Sequence, residues 1–201
     1  MDLQTSQTAE TAARAQGFTP RRTIVLVGLM AAGKTKIGRR LAARLNLPFS
    51  DSDTEIEAAA GETIEEIFRN RGEATFRDGE RRVIARLLAQ PIHVLATGGG
   101  AFMDPATRAL TVRRGVSVWL RADLDVLLAR VARRNNRPLL QGGDARAVLA
   151  ELIERRHPIY AEADLTIDSG EGPLELTTTR VIAALAGSDR ALRPPNSEIA
   201  E

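Results

Sequence analysis

Apolar residues cluster along this chain in five short runs, and between the runs they recur with the period of a helix. Thr23–Val27 is the first run, uninterrupted in the way of a strand buried on both faces. Lys34–Leu45 follows with Ile37, Leu41 and Leu45 on one face, which predicts an amphipathic helix. Residues 47–49 predict a short second strand that ends at the polar cluster Ser50-Asp51-Ser52-Asp53. Helical periodicity then runs to a break at Gly61, and Thr63-Ile-Glu-Glu66 has the capping-box pattern of a new helix start. Another helix is predicted over 73–88, and a third strand over 92–96 ends in Thr97-Gly98-Gly99-Gly100. A helix over 105–113, a strand over 116–120 and a helix over 123–132 capped by Asp123 come next. A polar loop over 133–144, dense in Arg, Asn and Gly, precedes a helix over 145–156 and a fifth strand over 165–167. The last helix spans 173–185 with Pro173 near its start. This alternation predicts an α/β fold: a five-stranded parallel sheet with helices on both faces.

Composition narrows the picture only a little. At 201 residues with 43% apolar content, one globular domain is expected over residues 21–187. Residues 1–20 read as a flexible polar extension without the basic start and apolar stretch of a signal peptide, and residues 188–201 as a flexible tail. The net charge is only +2, and no basic stripe is studded with aromatics, so a nucleic-acid partner is not expected. Cysteine is absent, which excludes disulfides and thiolate zinc sites. No apolar run approaches the length of a membrane span. A cytoplasmic monomer is expected.

The candidate chemistry starts directly after the first strand. Gly28-Leu-Met-Ala31-Ala32-Gly33-Lys34-Thr35 is a glycine-bounded loop between a strand and a helix, the setting of a nucleotide phosphate cradle. Its glycines let successive backbone N–H groups turn inward, and the helix N-terminus adds partial positive charge. Lys34 can reach the β- and γ-phosphates of ATP, and the Thr35 hydroxyl can ligate Mg²⁺. Lys34 and Lys36 are the only lysines in an arginine-rich chain, placed where a compact point charge suits a tight loop.

In a parallel sheet the ligand sits beyond the carboxyl ends of the strands. The phosphate loop, Asp51 with Asp53, and the triple glycine each follow a strand, so all should line one crevice. Through a local extended turn both carboxylates could face it, one holding metal-bound water and one accepting a proton from an attacking hydroxyl. The lesser alternative is that Asp53 merely caps a helix over 54–60. Gly98, Gly99 and Gly100 permit close backbone approach to a ligand. Arg77 and Arg156 are of the type that grips a carboxylate with two hydrogen bonds, although arginine is common here.

Taken in order, these pieces resemble the shikimate kinases. The resemblance rests on the phosphate loop, Ile37-Gly38-Arg39, Leu41-Ala42 and Phe49-Ser-Asp-Ser-Asp53 with Ile56-Glu57. It continues through Ile64-x-x-Ile67-Phe68, Gly72-Glu73-x-x-Phe76-Arg77-x-x-Glu80, Thr97-Gly-Gly-Gly100, Arg137-Pro-Leu-Leu140 and Arg156-His-Pro-Ile-Tyr160, spanning about residues 23–185. It implies a three-layer P-loop fold like the nucleoside monophosphate kinases, with a mobile lid over 133–144. It implies transfer of the ATP γ-phosphoryl group to the 3-hydroxyl of shikimate, with Mg²⁺, on the route to chorismate and the aromatic amino acids.

By the same resemblance Asp53 holds ring hydroxyls and is the candidate base, while Arg77 and Arg156 bind the carboxylate. Gly98, Gly99 and Gly100 form the backbone wall, and Glu80 orients Arg77. Arg137 folds over the phosphates from the lid, Asp51 positions Mg²⁺ with Thr35, and Arg130 with the segment 167–173 contacts adenine. The nucleotide set is Gly28, Ala31, Ala32, Gly33, Lys34, Thr35, Lys36, Arg130 and Arg137. Two positions depart from the commoner pattern: Ala31 replaces a further glycine, which suits a negative φ, and Lys36 replaces Ser or Thr. The rivals are a kinase of the same fold acting on another hydroxyl acceptor, such as gluconate, and a nucleotide-gated binding protein.

Overall fold

The computed structural model describes residues 17–133 and 144–195. Five strands, β1 (Thr23–Val27), β2 (Phe49–Asp51), β3 (Val94–Ala96), β4 (Gly115–Arg121) and β5 (Leu165–Asp168), form one sheet. Their order is β2-β3-β1-β4-β5, and every pairing is parallel. Parallel neighbours need crossovers, and eight helices supply them or extend them among the described residues: α1 (Lys34–Leu45), α2 (Ser52–Ala60), α3 (Ile64–Leu88), α4 (Pro105–Arg114), α5 (Leu124–Ala132), α6 (Ala145–Tyr160), α7 (Leu174–Ala186) and α8 (Asp189–Leu192). A short 3₁₀ turn, Ala101–Met103, follows the triple glycine. α1 packs on α7, while α3 packs on α4 and α5 on α6. The expected α/β architecture is therefore present.

The central strand is apolar because helices cover both its faces: Ile24, Val25, Leu26 and Val27 are all buried. Element ends follow local chemistry. Pro48 accepts from Val94 N at 2.9 Å but has no N–H to donate to the ladder, and β2 begins at Phe49 rather than at 47. β3 correspondingly starts at Val94, later than expected, with Ile92 exposed. The capping box at Thr63 and Glu66 forms as expected, and Gly61 ends α2 in the left-handed region. The two helices expected after Thr63 meet at Gly72, whose φ of 78° and ψ of 168° kink α3. Asp123 occupies the cap position of α5 but its side chain makes no capping hydrogen bond, a correction to the expected cap.

The C-terminal segment also differs from a free tail as far as residue 195. α8 packs against β4, Ala191 is 0% exposed, and Arg21 N donates to Ala191 O. Arg22, 7% exposed, donates to the carbonyls of Arg113, Arg193 and Pro194. Among the described residues no helix is long and apolar enough to cross a membrane.

Candidate active site

The phosphate loop is shaped by its backbone. Gly28, Ala31 and Gly33 have φ of 134°, 62° and 100°, so the chain turns repeatedly through the left-handed region. Ala31 thus adopts the positive φ that its side chain disfavours, contrary to the negative φ expected, because the loop must turn there. No side chain caps α1, and its first turn carries Lys34 and Lys36 but no acid, which leaves an electropositive helix end suited to an anion. Lys34 is buried and its Nζ donates to Gly28 O at 2.7 Å and Leu29 O at 2.9 Å, holding the ammonium within the loop. Lys36 is exposed.

Arg130, on α5, ties the loop to the segment after β5. It donates to Ala31 O and Ala32 O at 3.3 Å, to Ser169 Oγ at 3.1 Å and to Gly170 O at 2.7 Å. Ser169 Oγ in turn donates to Ala32 O at 2.8 Å. Sequence reasoning missed Ser169, whose only signal was its place directly after the fifth strand.

Asp51 ends β2, and Asp53 stands one residue into α2, so a strand-to-helix turn replaces the extended turn expected. Asp51, not Asp53, is the cap: its Oδ1 accepts from Asp53 N at 3.1 Å. Its Oδ2 accepts from Thr35 Oγ1 at 2.8 Å, which brings a hydroxyl and a carboxylate together beside the loop. Among the described residues no cluster of three His, Cys, Asp or Glu could hold a metal. One hydroxyl and one carboxylate suit Mg²⁺, which keeps most of its shell as water and phosphate oxygen.

The triple glycine joins the phosphate loop to the acceptor side. A Cβ built on Gly99 would lie 3.4 Å from Met30 N and 3.7 Å from Gly28 O, so the two turns abut. A Cβ on Gly98 would lie 2.7 Å from Asp53 Oδ1 and 2.8 Å from Glu80 Oε1; one on Gly100 would overlap the Arg77 guanidinium. Only glycine leaves room for these side chains to converge. Gly98 N donates to the buried Ser52 Oγ at 2.9 Å, fixing the turn against α2.

Arg77 donates to Glu80 Oε2 at 2.7 Å and to Glu73 Oε1 at 3.2 Å, so Glu80 orients it as the resemblance implied. The other Glu80 oxygen is buried without a hydrogen-bond partner among the described residues. Burial raises the Glu80 carboxyl above its ordinary range, and burial followed by repulsion from Asp51 does the same for Asp53. Arg156 reaches the turn from α6, donating to Gly99 O at 3.2 Å. Tyr160 donates to the same carbonyl. The structure therefore brings Asp53, Arg77 and Arg156 to the glycine turn, which abuts the phosphate loop at Gly99. Arg137 and most of the expected lid lie outside the described residues.

The family model described as shikimate kinase matches residues 30–186. The chain belongs to the shikimate kinase family. It is 57% identical over 164 residues to a shikimate kinase of Caulobacter vibrioides, covering 82% of each chain. It is 58% identical over 164 residues to one from Paramagnetospirillum magneticum, covering 82% of this chain and 84% of that one. Among solved structures, the shikimate kinase of Acinetobacter baumannii in complex with shikimate is 38% identical with a TM-score of 0.81, covering 87% of this chain and 98% of that one. The chain is thus an ATP-dependent kinase of shikimate with the nucleoside monophosphate kinase-like α/β fold, and Mg²⁺ is the usual metal of its reaction.

Proposed function

We propose that this chain transfers the γ-phosphoryl group of ATP to the 3-hydroxyl of shikimate in the crevice between the phosphate loop and the glycine turn. The observation that carries this reading is the meeting of Asp53, the Arg77–Glu80 pair and Arg156 at Gly98–Gly100, with Gly99 against the loop backbone. An acceptor with ring hydroxyls and one carboxylate fits that set: hydroxyls face Asp53, and the carboxylate faces the two guanidiniums. Asp53 accepts the proton of the attacking hydroxyl. Lys34 and the inward N–H groups hold the β- and γ-phosphates, and Arg130 holds the loop in shape for them. Thr35 and Asp51 would hold Mg²⁺, which neutralises charge on the phosphates when bound. Arg137, outside the described residues, is assigned the role of offsetting charge on the phosphates in the transition state.

Phosphoryl transfer needs positioning and charge neutralisation more than covalent help, and these residues supply both. An acceptor site lined with buried polar groups rejects analogues that leave them unpaired. We read the chain as a cytoplasmic monomer whose kinase domain runs from residue 21 through α8. The test is ADP release from the purified protein with ATP and Mg²⁺, supplied with shikimate, gluconate or no acceptor. Turnover with shikimate alone is expected. ATP binding without shikimate-dependent turnover would overturn the acceptor assignment while sparing the phosphate loop.

A further inference from the structure

Tyr160 is 0% exposed and is the single tyrosine of the chain. It lies four residues after Arg156 on α6, so both side chains leave the same helix face. Both donate to one acceptor, Gly99 O, filling the two lone pairs of that carbonyl. The phenol ring stacks with two others. Trp119 stacks on it with centroids 5.9 Å apart at 28°, and Phe102 with centroids 6.4 Å apart at 19°. Trp119 Cδ1 stands 3.3 Å from the position of a Cβ on Gly28. Gly99 is therefore held between α6 on one side and the phosphate loop on the other, and the Tyr160 ring borders the loop only through Trp119. Burial pushes the Tyr160 hydroxyl up to about 12, so it stays a donor throughout the neutral range.

We propose that the Tyr160 hydroxyl is a positioning group of the acceptor site: it fixes the Gly99 peptide and so sets how far Arg156 is drawn toward that carbonyl instead of toward the acceptor carboxylate. This rests on the acceptor-site reading above. Without the hydroxyl, Arg156 would be the sole side-chain donor to Gly99 O among these contacts, and its guanidinium would be drawn more firmly onto the wall. The loss falls on shikimate and not on ATP, because the bonds that hold Lys34 and Arg130 to the phosphate loop do not involve Tyr160.

Tyr160→Phe keeps the ring stack and removes only the donor. The expected result is a rise of about tenfold in KM for shikimate, with KM for ATP changed by less than about twofold. A change of the same size in both KM values, or in neither, would overturn the proposal and leave the hydroxyl a structural group. Arg156→Lys serves as the control for the acceptor site, and its shikimate KM should rise whatever Tyr160 does. If it does not, the acceptor-site reading fails on its own account. In the double variant the two losses should be less than additive, since both donors act on one carbonyl. A readout independent of any variant's folding uses biosynthetic 3-fluorotyrosine, which labels Tyr160 alone. Its ¹⁹F resonance should move on saturation with shikimate, and an unmoved resonance would overturn the proposal.

Discussion

Asp53 illustrates how a single carboxylate can be costly and useful together. Burial and the neighbouring Asp51 raise its proton affinity in the folded chain above that in the unfolded chain. A carboxyl raised in this way favours the folded state while it is protonated, and that advantage is lost as pH rises through the folded value. At neutral pH its charge therefore works against folding, as expected of a functional group. Asp53→Asn should raise the melting temperature at pH 7 relative to the native chain and narrow that difference at pH 4. The same variant should lower kcat by about 10²–10⁴ if Asp53 is the base. Lower thermal stability at pH 7, or retained turnover, would contradict one half or the other. Arg77 and Arg156 test the acceptor side. Replacing either by Ala should weaken shikimate binding by about 2–5 kcal/mol and leave ATP binding nearly unchanged. Titration calorimetry giving equal losses for both ligands would remove them from the carboxylate site.

At the level of elements, the phosphate loop trades stability for shape. Ala31 at a φ of 62° carries a left-handed strain of about 1–2 kcal/mol, partly offset because alanine loses less backbone entropy than glycine. Ala31→Gly should therefore stabilise the chain by about 0.5–1 kcal/mol in urea unfolding. A destabilised variant would mean that the methyl group makes a compensating contact. Helix boundaries tell a related story. The capping box at Thr63 and the glycine break at Gly61 were readable because each depends on residues within one turn. The start of β2 was not, because the Pro48 carbonyl becomes a ladder acceptor only when Val94 is beside it. Likewise Asp51 was placed near the metal but not recognised as the cap of α2, since a strand of three residues offers no periodicity to locate its end.

For the whole molecule, the C-terminal segment closes the pole opposite the active site. Arg22 is buried and depends on the carbonyls of Arg193 and Pro194, with burial and the nearby Arg190 lowering its proton affinity. Ending the chain after Gly187 would strip two acceptors from a buried cation. The expected cost is about 1–3 kcal/mol of stability, seen as a lower melting temperature, with KM for shikimate and ATP unchanged well below that melt. An unaltered melting temperature would restore the reading of this segment as a free tail.

By itself the sequence determined the strand–loop–helix of the phosphate cradle and the parallel alternation, and through its family resemblance it nominated Asp53, Arg77, Arg130 and Arg156. Each of these depends on contiguous spacing or on an ordered set of motifs. Only the tertiary structure decided how they meet: that Glu80 Oε1 and Asp53 Oδ1 flank Gly98, that Ser169 links Arg130 to the loop, and that Tyr160 shares Gly99 O with Arg156. The physical reason is separation along the chain. Gly99 and Tyr160 are 61 residues apart, and Ser169 and Ala32 are 137 apart. No local periodicity encodes a hydrogen bond over that distance; it forms only when the strand order places the ends of β1, β3 and β5 on one side of one sheet.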